Sequence, residues 1–313
     1  MIEPSGTRPA APEPPAALRA LFPQPIRSAA YLDPGYSGHA SDVWLVTTDS
    51  EEAVVRSHRG EGGSDGLPDG AFFWGCHRLC GIDPRRVFDL QPLHALLRAC
   101  GGPPVPRVLR MAEVGGRQWV VLQRMPGAPI TSLVGAPDTL LADLGGTLAR
   151  VHRVTHDCCG APAGGPTYPL AAFPARLADT LRAVAARFRP DDVAVRRWLA
   201  HLLPSWRAEE PPGAASLVMM DLDGGQFLAQ GGRLTAVVDT EAYVLAPREL
   251  DFTALECLLD PRGAAVFAAA YAAVHPLPRL GPVRLPYRLL LFLLEVQGED
   301  DCDRWMRHPV RFP

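Results

Sequence analysis

Leu217-Val218-Met219-Met220-Asp221-Leu222-Asp223-Gly224-Gly225-Gln226-Phe227-Leu228, followed after a short turn by Leu234-Thr235-Ala236-Val237-Val238-Asp239-Thr240-Glu241, reads as strand, polar turn, strand. The turn carries two carboxylates and an amide. The second apolar strand ends in another carboxylate, thirteen residues after Gln226. This arrangement places Asp221, Gln226 and Asp239 around one cleft at the ends of paired strands. Phosphoryl transfer asks for such a set: one carboxylate orients the attacking hydroxyl and takes its proton, while an amide and a second carboxylate hold magnesium against the phosphates.

Working toward the N-terminus, residues 118–122 and 108–111 read as a hairpin across Gly115-Gly116, and 90–99 as a helix stopped by Pro103-Pro104-Val105-Pro106. Residues 53–56, 43–47 and 29–32 are three further strand-like runs. The turn Asp33-Pro34-Gly35-Tyr36-Ser37-Gly38-His39 holds two glycines that permit close backbone approach to a ligand. Residues 1–28 contain seven prolines by position 25 and few large apolar side chains, and are expected to form a flexible arm.

Beyond Met125-Pro126-Gly127 the character changes. Residues 140–154, 170–188, 193–203, 250–259, 264–274 and 287–296 all space their apolar residues as helices do. The expected fold is α+β: a small antiparallel sheet with one helix over 29–124, a hinge near 123–127, and a mainly helical part over 125–313.

Composition narrows the chemistry. The chain has 313 residues, 47% hydrophobic and 21% charged, with a formal net charge of −3. That is the balance of a globular protein and calls for no nucleic acid and no membrane as partner. No apolar run reaches spanning length, and the Pro- and Ala-rich start lacks the cationic-then-apolar pattern of a secretory signal, so the cytoplasm is expected. The seven cysteines fit reduced core positions there. All 31 basic residues counted as Lys plus Arg are Arg, and there is no Asn. Absence of Lys excludes a Walker A phosphate loop and Schiff-base or pyridoxal chemistry. Gly62-Gly63-Ser64-Asp65-Gly66 matches the G-x-S-x-G nucleophile elbow, but its flanks are polar and Gly-rich rather than strand and helix, which favours a loop over a hydrolase.

The central stretch resembles the aminoglycoside phosphotransferase and choline kinase-like family, which shares the protein-kinase fold. The family pattern there is H-G-D-L-H-x-x-N, then a strand ending in I-D-W-E or I-D-W-D. Met219 and Met220 stand for His and Gly, Asp221 and Leu222 match, Asp223 replaces the second His, and Gln226 replaces Asn. Asp239-Thr240-Glu241 matches the second motif except for its Trp. Leu148-Ala149-Arg150-Val151-His152 is similar to the family's L-A-x-L-H helix end. Pro104-Val105-Pro106-Arg107-Val108-Leu109 is similar to its P-V-P-x-V-L turn, and Val120-Val121-Leu122-Gln123-Arg124-Met125-Pro126-Gly127 to its hinge strand. The resemblance spans roughly residues 29 to 300.

The resemblance implies a bilobal protein-kinase-like fold and transfer of the terminal phosphate of ATP or GTP, with Mg2+, to a hydroxyl of a small molecule. It implies Asp221 as catalytic base and Gln226 and Asp239 as metal ligands. Nucleotide contacts fall on Gly35, Ser37, Gly38, Arg56 and Gln123. Candidate substrate contacts are Asp223, Glu241 and the acids Glu295, Asp300 and Asp301, which would suit a cation of the aminoglycoside or choline kind. Oligomeric state is left open. The departures are joint: Arg56 stands where the family has Lys, only Asp89 or Gln91 stands for its Glu partner, and Gln226 is one methylene longer than Asn. They raise the alternative of a pseudokinase, which binds nucleotide or metabolite without efficient transfer.

Overall fold

The computed structural model describes residues 14–32, 41–59, 70–83, 85–206, 211–298 and 300–313. Gly35, Ser37, Gly38 and Ser64 lie outside the described residues. The rest falls into two compact units.

The first unit gathers the described residues up to 59 with 85–88 and 107–124. Its strands are β1 Ser28–Tyr31, β2 Ser41–Thr47, β3 Glu52–His58, β4 Val108–Val114 and β5 Arg117–Gln123, all antiparallel in the order β1-β2-β3-β5-β4. Period-two alternation turns Trp44, Val46, Ala53, Val55, Trp119 and Val121 to one core face. The β4–β5 hairpin turns on Gly115 and Gly116, both at positive φ (62° and 74°), the backbone a two-residue turn of this kind requires. The flexible arm expected through residue 28 is corrected from Ala16 onward: helix α1, Ala16–Ala20, delivers Leu18, Leu21 and Phe22 to the sheet core. Those three apolar side chains, each stabilising by about 1.5–3 kcal/mol when buried, outweigh the prolines around them.

The second unit holds the remaining described residues. It therefore includes helices α2, Ala71–Cys80, and α3, Leu90–Ala99, which the sequence placed with the sheet or left unassigned. It continues with β6 Ala128–Pro129, α4 Asp138–His152, β7 Cys158–Gly160, β8 Thr167–Pro169, α5 Phe173–Phe188 and α6 Val193–Trp206. Then come β9 Ser216–Met219, β10 Phe227–Gln230, β11 Arg233–Val237 and β12 Tyr243–Ala246, and the helices α7 Glu249–Leu258, α8 Pro261–Ala272, α9 Arg284–Leu293 and α10 Cys302–Met306. Two small sheets, β11-β10-β6 and β8-β7-β12-β9, lie among the helices. Gly145 lets α4 approach α8 closely, since a Cβ there would meet Phe267 O at 2.4 Å. Among the described residues no helix is long and apolar enough to cross a membrane.

Candidate active site

The site is built where the chain passes from one small sheet to the other. In the β10–β11 ladder Phe227 faces Val237, and Val238 N–H continues it by donating to Gln226 O at 2.8 Å. In the β9–β12 ladder Met219 faces Tyr243, and Met220 N–H continues it to Ala242 O at 3.1 Å. Residues 239–241 bridge the two ladders. The Gln226 carbonyl therefore bonds to the residue before Asp239 at one ladder end, while Asp221 lies in the turn that follows β9 and Glu241 in the turn that precedes β12.

Asp239 takes up φ 57°, the left-handed region unusual for a residue with a side chain. Its carboxylate is exposed. Asp221 is half-buried, and Gln226 Nε2 donates to its Oδ2 at 3.3 Å. The oxygen of the same amide accepts the Asp223 N–H at 2.8 Å, while Asp223 Oδ1 accepts the Gly225 N–H at 2.8 Å. Asp223 and Gln226 thus form a reciprocal capping box around the single turn Gly224–Gln226. Cys76 on α2 lies fully buried near Asp221. Burial raises its thiol well above the ordinary value, with further upward contributions from Cys80 and the Asp221 carboxylate, so it is inert as a nucleophile.

Strand β9, which delivers Asp221, is anchored from behind by a chain of bonds. Arg248 Nη1 donates to Tyr271 Oη at 3.0 Å, and Tyr271 Oη lies 3.1 Å from His152 Nδ1. His152 Nε2 lies 3.0 Å from Asp251 Oδ2, and Asp251 Oδ1 accepts the Met219 N–H at 3.0 Å. From Arg248 to Asp251 the donors run in one sense if Tyr271 gives its proton to Nδ1 and His152 carries its own on Nε2, and Met219 donates to Asp251 from the other side. Burial holds the Asp251 carboxyl above the ordinary carboxylate range, against the opposing pull of His152 and the Met219 amide. His152 and Asp251 are therefore structural members of the site.

A further anchor comes from α3. His94 is 1% exposed, with Nδ1 2.8 Å from Pro106 O and Nε2 2.7 Å from Thr240 Oγ1. Sequence reasoning missed it because position 94 completes the apolar face set by Leu90, Leu93 and Leu97. A polar ring on that face was the available signal.

Magnesium fits the donors present. Asp239 offers an exposed hard carboxylate, and Gln226 Oε1 keeps a second lone pair beyond its bond to Asp223. Few protein oxygens suit an ion that leaves its remaining positions to phosphate and water. Among the described residues no three His, Cys, Asp or Glu side chains cluster as a metal cage.

The other expected contacts are dispersed. Arg56 sits mid-β3 between Val43 and Val120, and Gln123 ends β5 with its N–H on Arg107 O at 2.9 Å; both belong to the first unit. Glu295 pairs with Arg189 at 3.0 Å, and Asp301 accepts the Arg304 N–H at 3.0 Å as the N-cap of α10. These two acids have structural partners. Asp300 is exposed and makes no ion pair among the described residues.

A cavity of about 390 Å3, lined by Ser216, Glu249, His275 and Tyr287 among others, lies at the opposite end of β9. Asp221, Gln226 and Asp239 are not among the residues that line it.

Comparison with solved structures gives the same architecture. A macrolide 2'-phosphotransferase, MphH from Brachybacterium faecium, superposes with TM-score 0.56 at 18% identity, covering 94% of this chain and 97% of that one. The aminoglycoside phosphotransferase APH(4)-Ia in complex with ADP and hygromycin B gives 0.57 at 17% identity, covering 90% and 94%. The GDP complex of aminoglycoside 2'-phosphotransferase-IIIa gives 0.55 at 16%, covering 87% and 84%. No curated protein matches in sequence. At these identities the superpositions establish a protein-kinase-like fold. The model of the phosphotransferase enzyme family matches residues 34–280, most of the chain and all of the ladder-bridging site, and the protein belongs to that family.

Proposed function

We propose that this protein transfers the terminal phosphate of ATP or GTP to a hydroxyl of a small molecule in the cytoplasm, with Asp221 as the base. The observation that carries this is Gln226, whose side-chain Nε2 donates to Asp221 Oδ2 while its backbone carbonyl accepts the N–H of Val238, the residue before Asp239. Asp221 orients the acceptor hydroxyl and takes its proton as the oxygen bonds to the terminal phosphorus. The bond from phosphorus to the bridging oxygen breaks and the nucleoside diphosphate leaves. Asp239, with Gln226 Oε1, would hold magnesium, which when bound neutralises charge on the phosphates. Arg56 supplies a fixed positive charge for phosphate in place of an amine.

The relatives named above include enzymes crystallised with ADP or GDP and with an aminoglycoside, which supports a hydroxylated substrate and leaves both nucleotides as candidates. A cationic substrate rests on the exposed Asp300, with Asp223 and Glu241 as the other candidate carboxylates. A protein that binds nucleotide with little transfer is the second reading. It is favoured by the engagement of Gln226 Oε1 with Asp223, which ties up one lone pair of a proposed metal ligand.

The deciding experiment is magnesium-dependent release of ADP or GDP across a panel of hydroxylated cations, using the native protein and Asp221→Asn. Turnover abolished in the variant, with nucleotide binding kept, supports transfer. Nucleotide binding without turnover in the native protein supports the second reading. Equal turnover in both proteins sinks Asp221 as the base.

A further inference from the structure

Thr240 lies between Asp239 and Glu241, is 2% exposed, and makes its side-chain bond to His94, 146 residues earlier. The chemistry of that bond is fixed by the other side of the ring. Pro106 O is a carbonyl and only accepts, so His94 Nδ1 carries the proton and donates. Nε2 therefore holds a lone pair and accepts the Thr240 hydroxyl proton. Both ring nitrogens are satisfied inside the core, and a position that the helix pattern reserves for Leu is given to a group with two directional bonds.

The same segment closes a circuit. Pro104 O accepts the Val237 N–H at 2.9 Å, just before the chain turns at Val238 and Asp239. Thus 104–106 bonds to β11 on one side and to His94 on the other, and His94 returns to Thr240. The ring of bonds encloses Asp239. This residue adopts a left-handed backbone that costs a non-glycine residue about 1 kcal/mol and persists only where neighbours over-determine it. Backbone bonds hold the turn at its two ends, Val238 to Gln226 and Tyr243 to Thr240. Between them, the Thr240 side chain ties the turn to α3.

We propose that His94 is a positioning residue for Asp239: through Thr240 it fixes the turn that aims the carboxylate, so α3 sets the strength of the metal–nucleotide site. This rests on the assignment of Asp239 to the metal and phosphates made above. His94 touches neither substrate nor metal, and the effect passes through the backbone of the turn.

The test is binding of Mn2+ in the presence of AMP-PNP, followed by the electron paramagnetic resonance of free Mn2+, which requires no turnover. Thr240→Val removes the hydroxyl at constant shape. His94→Asn keeps a donor for Pro106 O and loses the acceptor for Thr240. Each is expected to weaken Mn2+ binding about tenfold, and the double variant no further, because both singles break one bond. Thr240→Ser restores the hydroxyl and is expected to recover most of the affinity, which a purely steric role for Thr240 would not give. Should His94→Asn fail to fold, the Val and Ser variants carry the comparison. Native-like Mn2+ affinity in Thr240→Val, or fully additive losses in the double variant, overturns the inference alone. Failure of the native protein to bind Mn2+ with AMP-PNP overturns the phosphotransfer assignment and the inference with it.

Discussion

Gln226 Nε2 stands 3.3 Å from Asp221 Oδ2 while the oxygen of the same amide is held at 2.8 Å by the Asp223 N–H. The extra methylene relative to Asn allows this two-ended grip, in which the side chain both closes the capping box and turns a donor on the proposed base. Gln226→Asn shortens the reach and cannot keep both bonds. A misplacement near 1 Å costs on the order of a hundredfold in rate, so turnover is expected to fall by about tenfold to a hundredfold. Steady-state kinetics against Mg2+ and nucleotide check this. A drop confined to kcat marks orientation of Asp221, and a rise in the apparent Mg2+ constant marks ligation.

Asp251 holds β9 by accepting from Met219, two residues before Asp221. Asp251→Ala leaves the Met219 N–H and the His152 ring N–H buried without acceptors. At roughly 1–3 kcal/mol for each unsatisfied group, a loss of about 3 kcal/mol is expected in urea unfolding. Asp251→Asn, which keeps one acceptor, is expected to lose less. Equal stability of Asp251→Ala and the native protein contradicts the anchor.

The His94 ring has its pKa pushed down to about 4, chiefly by burial and secondarily by Arg98, against the opposing Pro106 bond. The unfolded chain keeps the ordinary 6.5, so between pH 4 and 6.5 it binds the additional proton. Stability from this group is fully present above pH 6.5 and is lost as pH falls toward 4, by on the order of 3 kcal/mol in all. His94→Gln is expected to be less stable at pH 7.5 yet to show a shallower fall between pH 6.5 and 4.5. Denaturant midpoints measured across that range decide it, and parallel curves for both proteins would contradict it.

Asp300 and Asp301 are neighbours with separable duties. Asp301→Ala removes the cap of α10 and is expected to cost about 1 kcal/mol of stability with kinetics unchanged. Asp300→Ala is expected to leave stability within about 0.5 kcal/mol and to raise the Michaelis constant for a cationic acceptor, as loss of uniform binding does. A constant that does not move returns Asp300 to an ordinary solvated surface.

Much of the fold was legible because local pattern and tertiary role agree. The alternation through Trp44, Val46, Ala53 and Val55 marks a sheet face, and the apolar spacing from Leu140 to Val151 marks α4. The positions of Asp221 and Asp239, two residues past the ends of β9 and β11, were legible from apolar strand-like runs that stop at carboxylates. Helix α2 was hidden because Ala71–Cys80 carries Gly75 at its centre and follows a Gly-rich stretch of sequence, and because Gly75 serves a contact with Leu294 that only the folded chain reveals. Helix α3 clusters with the second unit, because chain order is not packing order. The role of His94 was not read because a long-range hydrogen bond leaves no periodic trace beyond a polar ring on an apolar face. Glu295 and Asp301 looked like substrate acids until Arg189 and the start of α10 supplied local partners.

The bonds that converge on Asp251 and those of His94 give the two buried imidazoles, in their neutral forms, opposite tautomers. His152 carries its proton on Nε2 and His94 on Nδ1. The nitrogen-15 chemical shifts of a protonated and an unprotonated ring nitrogen are far apart, so each ring has its own spectral signature. One reports the rear support of the strand that carries Asp221, the other the turn that carries Asp239. A ligand that disturbs only one of these supports would register at one histidine and leave the other silent. The two halves of the site thus carry built-in, independent labels that need no chemical tag.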